Sequence, residues 1–248
     1  MKRILNWQIV LALILVTLSI IFYLLHYLIF GDIRHIFIYL IGDIAFLFID
    51  VMIVTLVLNR LLVFREKQSV MKKLNVVIDT FFSEVGADLL KMCMRFDSAV
   101  ADCKKKLVIA KDWSDRDFLI TKQVIQNSGI VDSKKYDLGE VRIFLMSKRQ
   151  FLLTLLENPH LVEHESFTNL LLAILHLTDE LVNRQYLKKL PESDYNHLSE
   201  DIKRVYNQLI LQWLDYMRQL KRDYPYLFSL ALRINPFDEN ASVEINES

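Results

Sequence analysis

The chain has 248 residues, and its 30 basic and 30 acidic side chains give a formal net charge of zero. Hydrophobic residues make up 53% of the chain and its mean hydropathy is +0.25, which is high for a water-soluble globular protein. A nucleic-acid partner is not expected, because binding one would require a basic surface.

Two apolar segments open the chain, at residues 7–30 and 36–62. A bilayer core requires about 20 apolar residues in helical form, so each segment is long enough to span a membrane. The first segment is longer than the hydrophobic region of a cleaved signal peptide, about 7–15 residues, and the second follows at once. We therefore expect residues 1–64 to form a transmembrane helical hairpin.

Basic side chains predict the orientation of this hairpin. Lys2 and Arg3 precede the first span, whereas the loop at 31–35 carries no net charge. Further basic residues cluster at the end of the second span: Arg60, Arg65, Lys67, Lys72 and Lys73. The excess of Lys and Arg on cytoplasmic loops predicts that both termini are cytoplasmic, in the inner (plasma) membrane. In that compartment Cys93 and Cys103 are expected to be free thiols.

Two carboxylates, Asp43 and Asp50, interrupt the second apolar segment. At about 100° per residue they share one helix face, which Tyr39 also shares. A charged Asp at the bilayer centre costs on the order of 2.5–3.5 kcal/mol, so such residues usually face a partner or water. In an antiparallel hairpin Asp43 would lie level with Tyr23, and Asp50 level with Thr17. Both partner hydroxyls could donate hydrogen bonds.

Three hypotheses explain these carboxylates. No basic residue of the chain lies at that depth, so either the carboxyl groups are protonated or they face another subunit. They could form structural hydrogen bonds within the hairpin or between copies. They could line a proton or cation path in an oligomer, although the chain has no Gly-rich selectivity filter. They could also pair with an intramembrane basic residue of a partner protein.

The remaining chain is predicted to be a cytoplasmic helical bundle at 65–237, followed by a disordered acidic tail at 238–248. Apolar residues recur every three or four positions, which is typical of amphipathic helices and predicts an all-α fold. The first stripe is Val70, Leu74, Val77, Phe81, Val85 and Leu89, and the second span is expected to continue into this helix. The longest helix, about 194–223, carries the stripe Leu198, Ile202, Val205, Leu209, Trp213, Met217 and Leu220.

Local signals predict several helix boundaries. Residues 114–117 and 137–140 are similar to capping boxes, so helices are expected to begin there. The first of these helices is expected to end at Gly129, and the second near Pro159. A third helix is predicted from there to about Tyr186.

The segment from His164 to Leu170 resembles the phospho-acceptor box of sensor histidine kinases. However, Asn169 replaces the proline of that box, and the chain has no glycine-rich ATP-binding motif. His164 is therefore a weak phospho-acceptor candidate, and a histidine at a helix start is the simpler interpretation.

No catalytic residue, cofactor or metal site is predicted. The chain has no nucleophile motif, P-loop or dinucleotide-binding glycine motif. His160 and His164 are four residues apart, but Pro159 breaks the segment that carries them. His176, on an apolar helix, is expected to be buried and hydrogen-bonded.

Three segments resemble an uncharacterised family of prokaryotic two-span membrane proteins. They are residues 65–90, 155–181 and 215–237, and the likeness covers most of the chain from about Ile36. The resemblance implies the two-span architecture and a bacterial or archaeal inner membrane. Because the family has no known activity, the resemblance implies no catalytic residue.

Taken together, these features predict a non-enzymatic integral membrane protein that acts as a self-associating scaffold or signal-transmitting module. The alternative is a small oligomeric ion channel or proton-coupled transport subunit that uses Asp43 and Asp50. The expected partners are the lipid bilayer and either further copies of the chain or a membrane partner protein.

Overall fold

The computed structural model describes residues 2–125, 129–159, 161 and 164–244; the side chains of residues 2–6 and 8 are outside that description. Within the described residues the regular secondary structure is helical, with one isolated antiparallel bridge between Asp97 and Val131. The all-α prediction is therefore confirmed. The chain divides into two compact units, Met1–Gln68 and Ser69–Ser248, called unit 1 and unit 2 below.

Unit 1 contains helix α1 (Lys2–Phe30) and the first part of helix α2 (Ile33–Phe81). Gly31 joins them with φ +64°, a left-handed conformation that favours glycine. Asp32 accepts a hydrogen bond from the Arg34 N–H at 2.8 Å, which satisfies a free donor at the start of α2.

Large apolar side chains along both helices of unit 1 are exposed. The helical segments Ile9–Phe30 and Ile33–Met94 each contain a stretch long and apolar enough to cross a membrane, judged by length and composition. The transmembrane arrangement itself stays a prediction, as does the division of the chain at residue 64.

Unit 2 begins with the end of α2 and a π-helical turn, Phe82–Gly86. The helices that follow are α3 (Ala87–Met94), α4 (Val100–Leu107), α5 (Asp115–Ile125), α6 (Leu138–Leu156), α7 (Glu165–Val182), α8 (Glu192–Asp223) and α9 (Pro225–Arg233). Helix α8 packs against α3, α5, α7 and α9, and α6 packs against α7. All seven residues of the predicted α8 stripe are buried, so this helix forms the centre of the unit 2 core.

The two predicted capping signals both start helices. The Ser114 N–H donates to Asp117 Oδ2 at 2.6 Å, and the Asp117 N–H donates to Ser114 Oγ at 3.4 Å, which is a reciprocal capping box. Asp137 caps α6 by accepting from the Gly139 N–H at 2.7 Å.

Two boundaries differ from their predictions. Helix α7 begins at Glu165, several residues after Pro159, because His164 caps it there. It ends at Val182 and not at Tyr186: the Asn183 N–H donates to the Asp179 carbonyl at 3.0 Å, and the next carbonyl, of Glu180, accepts from the Arg184 side chain at 2.6 Å. Helix α5 ends at Ile125, and residues 126–128 before the predicted stop at Gly129 are outside the description.

The first predicted stripe is buried at Leu74, Phe81, Val85 and Leu89, while Val70 and Val77 lie at its edge. It is not one uninterrupted α-helix, since the turn at 82–86 is π-helical. A π-turn inserts one residue into the helix, so the two buried phenylalanines Phe81 and Phe82 both face the core. Periodicity alone does not reveal this shift.

The segment that follows α9 packs against the core of unit 2. The Asn235 side-chain amide donates to the Leu107 carbonyl at 3.0 Å, and the Phe237 ring packs on Trp213 with centroids 4.9 Å apart. Beyond it, Lys104 pairs with Glu239 at 2.7 Å. Disorder of residues 238–248 stays a prediction, and residues 245–248 lie outside the described part of the chain.

Candidate functional site: a polar cleft and a histidine–carboxylate cluster

A cleft of about 470 Å³ lies between α1 and α2 within unit 1. Its polar lining includes Tyr23, His26, His35, Tyr39 and Asp43. His26 Nε2 lies 3.3 Å from His35 Nδ1, and the His35 and Tyr39 rings meet edge to face at 4.7 Å. Asp43 and Tyr23, predicted at equal depth, line the same cleft. Sequence reasoning missed the two histidines, although His35, Tyr39 and Asp43 recur every four residues and so share a helix face.

Asp50 and Thr17 are not brought together in this cleft. Asp50 is exposed on α2 and does not line it. The Thr17 hydroxyl donates to the Leu13 carbonyl at 2.8 Å, a bond within its own helix. Among the described residues, Asp43 belongs to no ion pair, and neither does Asp50. Their functional role stays a prediction.

His164 lies at the N-cap of α7. Its Nδ1 accepts a hydrogen bond from the Phe167 N–H at 3.2 Å, and Ser166 Oγ lies 3.3 Å from the same nitrogen. His164 therefore lies at a helix start, and its role as a phospho-acceptor stays a prediction. His160, its spacing partner, lies outside the described residues.

Four titratable side chains meet where α7 packs on α8. His176 and Glu180 are four residues apart on α7, and His197 and Asp201 are four apart on α8, so each pair shares one helix face. His176 lies opposite Asp201 and Glu180 opposite His197, which is the register of two antiparallel helices. We call these four side chains the histidine–carboxylate cluster.

Asp201 is the buried centre of this cluster. Its side chain is only 2% exposed, whereas those of His176 and His197 are 46% and 52% exposed. Asp201 Oδ2 lies 3.3 Å from His197 Nε2 and 3.6 Å from His176 Nε2. The expectation that His176 would be buried is wrong: its position on α7 faces the solvent-exposed edge of the α7–α8 contact.

A second carboxylate, Glu180, lies beside both imidazoles. Its oxygens are 3.9 Å from His176 Nε2 and 3.7 Å from His197 Nε2. Arg184 donates to Glu180 Oε2 at 2.5 Å, and this hydrogen bond holds the pKa of Glu180 below its usual range. Each His–carboxylate pair is visible in the sequence by its spacing of four, but the meeting of the two pairs required the fold.

The two cysteines are free, as expected, and buried in the core of unit 2. Burial raises the pKa of the Cys93 thiol to about 12. Burial and then the neighbouring Asp97 charge raise the pKa of Cys103 to about 11. Because the thiolate is the reactive form, these raised pKa values lower the nucleophilicity of both thiols.

Models of two domains of one protein family together match most of the chain. Residues 70–233 match "Uncharacterized protein MJ1433, C-terminal helical domain", and residues 2–62 match "MJ1433, N-terminal helical domain". The chain is 45% identical over 243 residues to the uncharacterized protein MJ1433 of Methanocaldococcus jannaschii, a match that covers 98% of this chain and 97% of that protein. No solved structure matches. The predicted resemblance to an uncharacterised family is confirmed, and the chain belongs to the MJ1433 family.

Proposed function

We propose that this chain is a non-enzymatic integral membrane protein of two spans, with both termini and unit 2 on the cytoplasmic side. It acts as a self-associating scaffold or signal-transmitting module. The exposed apolar side chains of α1 and α2 support the membrane location, because soluble monomers rarely expose contiguous apolar patches of more than a few hundred Å².

One observation carries the signalling role. Helix α2 has exposed apolar side chains from Ile33 to Leu62 in unit 1, and buried ones, Leu74, Ile78 and Phe81, in unit 2. A single helix is thus both a membrane-span candidate and part of the unit 2 core. This continuity of α2 supports the proposed signal-transmitting role.

The energetic cost of Asp43 and Asp50 supports self-association. Neither carboxylate has an ion-pair partner among the described residues, and each would cost on the order of 2.5–3.5 kcal/mol if it faced lipid as a charge. Hydrogen bonds between copies would lower that cost, because a donor on a helix of one copy can bond a carboxyl group on the facing helix of another.

The direct test is the mass of the detergent-solubilised protein. We expect a defined oligomer for the wild type and a monomer for the double variant Asp43→Asn/Asp50→Asn. Asp32→Asn is the matched control, because it alters an aspartate of unit 1 at the turn and outside the apolar stretch. A monomeric wild type would refute self-association, and a double variant with unchanged mass would show that the carboxylates do not hold the assembly together.

Membrane location has its own test. Extraction of cell membranes at alkaline pH removes peripheral proteins and leaves integral ones. We expect the full chain to stay with the membrane fraction, and protease added to the outside of intact spheroplasts to leave unit 2 uncut. Release at alkaline pH would refute the proposal, and cleavage of unit 2 would reverse the proposed orientation.

The cleft in unit 1 favours a second candidate function, an oligomeric ion channel or proton-coupled transport subunit. Its polar lining, which includes Asp43, Tyr39 and two histidines, exceeds what a simple anchor requires. This function predicts ion or proton flux in liposomes that contain the purified protein. The flux should be lost in Asp43→Asn and kept in Asp32→Asn. Liposomes without flux would exclude this candidate.

A further inference from the structure

The histidine–carboxylate cluster lies wholly within unit 2, at the packed faces of α7 and α8. We propose that His176, His197 and Asp201 form a binding site for a divalent transition metal of the zinc class, with Glu180 as the fourth candidate ligand. Metal binding at this site depends neither on the membrane location nor on self-association.

The donor atoms are nearly at coordination distance from one another. A zinc ion with ligands at about 2.0–2.2 Å in a tetrahedron separates neighbouring donor atoms by about 3.4 Å. Asp201 Oδ2 lies 3.3 Å from one imidazole Nε2 and 3.6 Å from the other. The donor atoms of His176, His197 and Asp201 all lie within 4.8 Å of one another. Both imidazoles are about half exposed, which leaves their rings room to rotate toward one ion.

The hydrogen bonding of the Asp201 carboxylate is a second, independent indication of a cation. Its Oδ1 accepts a hydrogen bond from Arg204 Nη1 at 2.9 Å, which fixes the orientation of the group. Its Oδ2 is fully buried and has no hydrogen-bond donor among the described residues. Buried carboxylate oxygens without a partner are rare, because losing the hydration of a charge is costly. The orphan oxygen is aimed at the two imidazole nitrogens, where a metal ion would satisfy it.

The chemistry of the donors selects the class of metal. Two imidazoles with a carboxylate suit zinc and neighbouring transition metals, whereas calcium and magnesium prefer oxygen ligands alone. Arg184 holds Glu180 Oε2, so the fourth ligand atom is Glu180 Oε1, which lies 3.9 Å from His176 Nε2. Because both imidazoles are about half exposed, the site opens to solvent, and ions can enter without unfolding the protein.

Binding would also fix α7 to α8, because each helix contributes ligands. A ligand that binds only the folded state stabilises it by mass action. At an excess of about 100-fold over the dissociation constant, the melting temperature of a unit of this size should rise by about 5–10 °C. Metal binding can therefore also be measured as a rise in melting temperature, without an assay of any activity.

The test uses the full chain in detergent, purified without a polyhistidine tag, stripped with a chelator and exchanged into metal-free buffer. Calorimetric titration with Zn²⁺ should show one ion per chain. Titration with Co²⁺ should give the visible absorption bands of a tetrahedral or five-coordinate site. We expect His176→Gln/His197→Gln to weaken Zn²⁺ binding by at least about 100-fold and to abolish the rise in melting temperature.

A matched control changes the two neighbouring histidines of unit 1, His26 and His35. His26→Gln/His35→Gln removes the imidazole pair of unit 1, and we expect it to bind Zn²⁺ as the wild type does. Asp201→Asn keeps the shape of the side chain and should weaken binding, with far-UV circular dichroism checking that the fold persists. The proposal is overturned if the wild type binds no tighter than His176→Gln/His197→Gln. It is equally overturned if only the His26/His35 variant loses the metal.

Discussion

Gly86 in the π-helical turn is the position where one added methyl group should be most informative. A Cβ there would lie 2.6 Å from Phe82 Cδ1 and 2.8 Å from Phe81 Cε1, about 1 Å inside ordinary carbon–carbon contact. The two rings cannot easily move away. Phe81 packs edge to face on Phe167 at 5.2 Å, and Phe82 stacks on Tyr216 at 4.9 Å.

Gly86→Ala should therefore destabilise unit 2. Overpacking of a well-packed core costs about 1–3 kcal/mol, whereas the better helix propensity of alanine returns about 1 kcal/mol. Because two ring atoms would lie within 2.8 Å of the new Cβ, the overpacking cost should fall in the upper part of that range, about 2–3 kcal/mol. We therefore expect a net loss of about 1–2 kcal/mol, which lowers the melting temperature of a unit of this size by about 2–8 °C. The assay is thermal unfolding of the full chain in detergent, followed by near-UV circular dichroism.

Gly42→Ala is the control, because a Cβ at position 42 meets nothing within 4 Å. It should leave the unfolding of unit 2 unchanged. The cost of Gly86→Ala should also shrink when Phe82 is changed to leucine, which removes the closest ring atoms. If Gly86→Ala melts at or above the wild-type temperature, the explanation of this glycine by close packing is refuted.

Three further predictions concern the buried polar groups and the caps of unit 2. The Tyr216 hydroxyl donates to Asp79 Oδ1 at 2.7 Å, so Tyr216→Phe should cost about 1.5–3 kcal/mol in a denaturant titration. An equal loss in an Asp79→Ala background, which lacks the acceptor, would contradict the pairing. Burial raises the pKa of Cys93 from 9.0 to about 12, so the folded state keeps a proton that the unfolded state loses. Its stabilising contribution is complete below pH 9 and falls by about 1.4 kcal/mol for each pH unit from there toward pH 12. Subtracting the pH profile of Cys93→Ala isolates this slope, and parallel profiles between pH 9 and 11 would refute it. His164→Ala should cost about 1 kcal/mol by removing the acceptor for the Phe167 N–H, while His164→Asn should keep most of the stability. An asparagine variant as unstable as the alanine variant would contradict the capping role.

The sequence by itself determined the local structure of this protein. The spacing of apolar residues predicted the helices and the buried stripe of α8, because a helix repeats every 3.6 residues wherever it lies in a fold. Ser114 and Asp137 predicted two helix starts, because a capping hydrogen bond joins residues only two or three positions apart. The common face of Asp43 and Asp50 follows from the same helical geometry.

Only the tertiary structure decided which faces meet. His176 and Asp201 are 25 positions apart in the sequence, and their contact depends on the antiparallel packing of α7 on α8. At the π-turn Phe82–Gly86, rings from α7 and α8 likewise pack against Phe81 and Phe82. Packing of this kind is set by the interlocking of side chains from distant parts of the chain, which local periodicity does not encode. For that reason the candidate metal site, unlike the helices that carry it, could be recognised only in the folded protein.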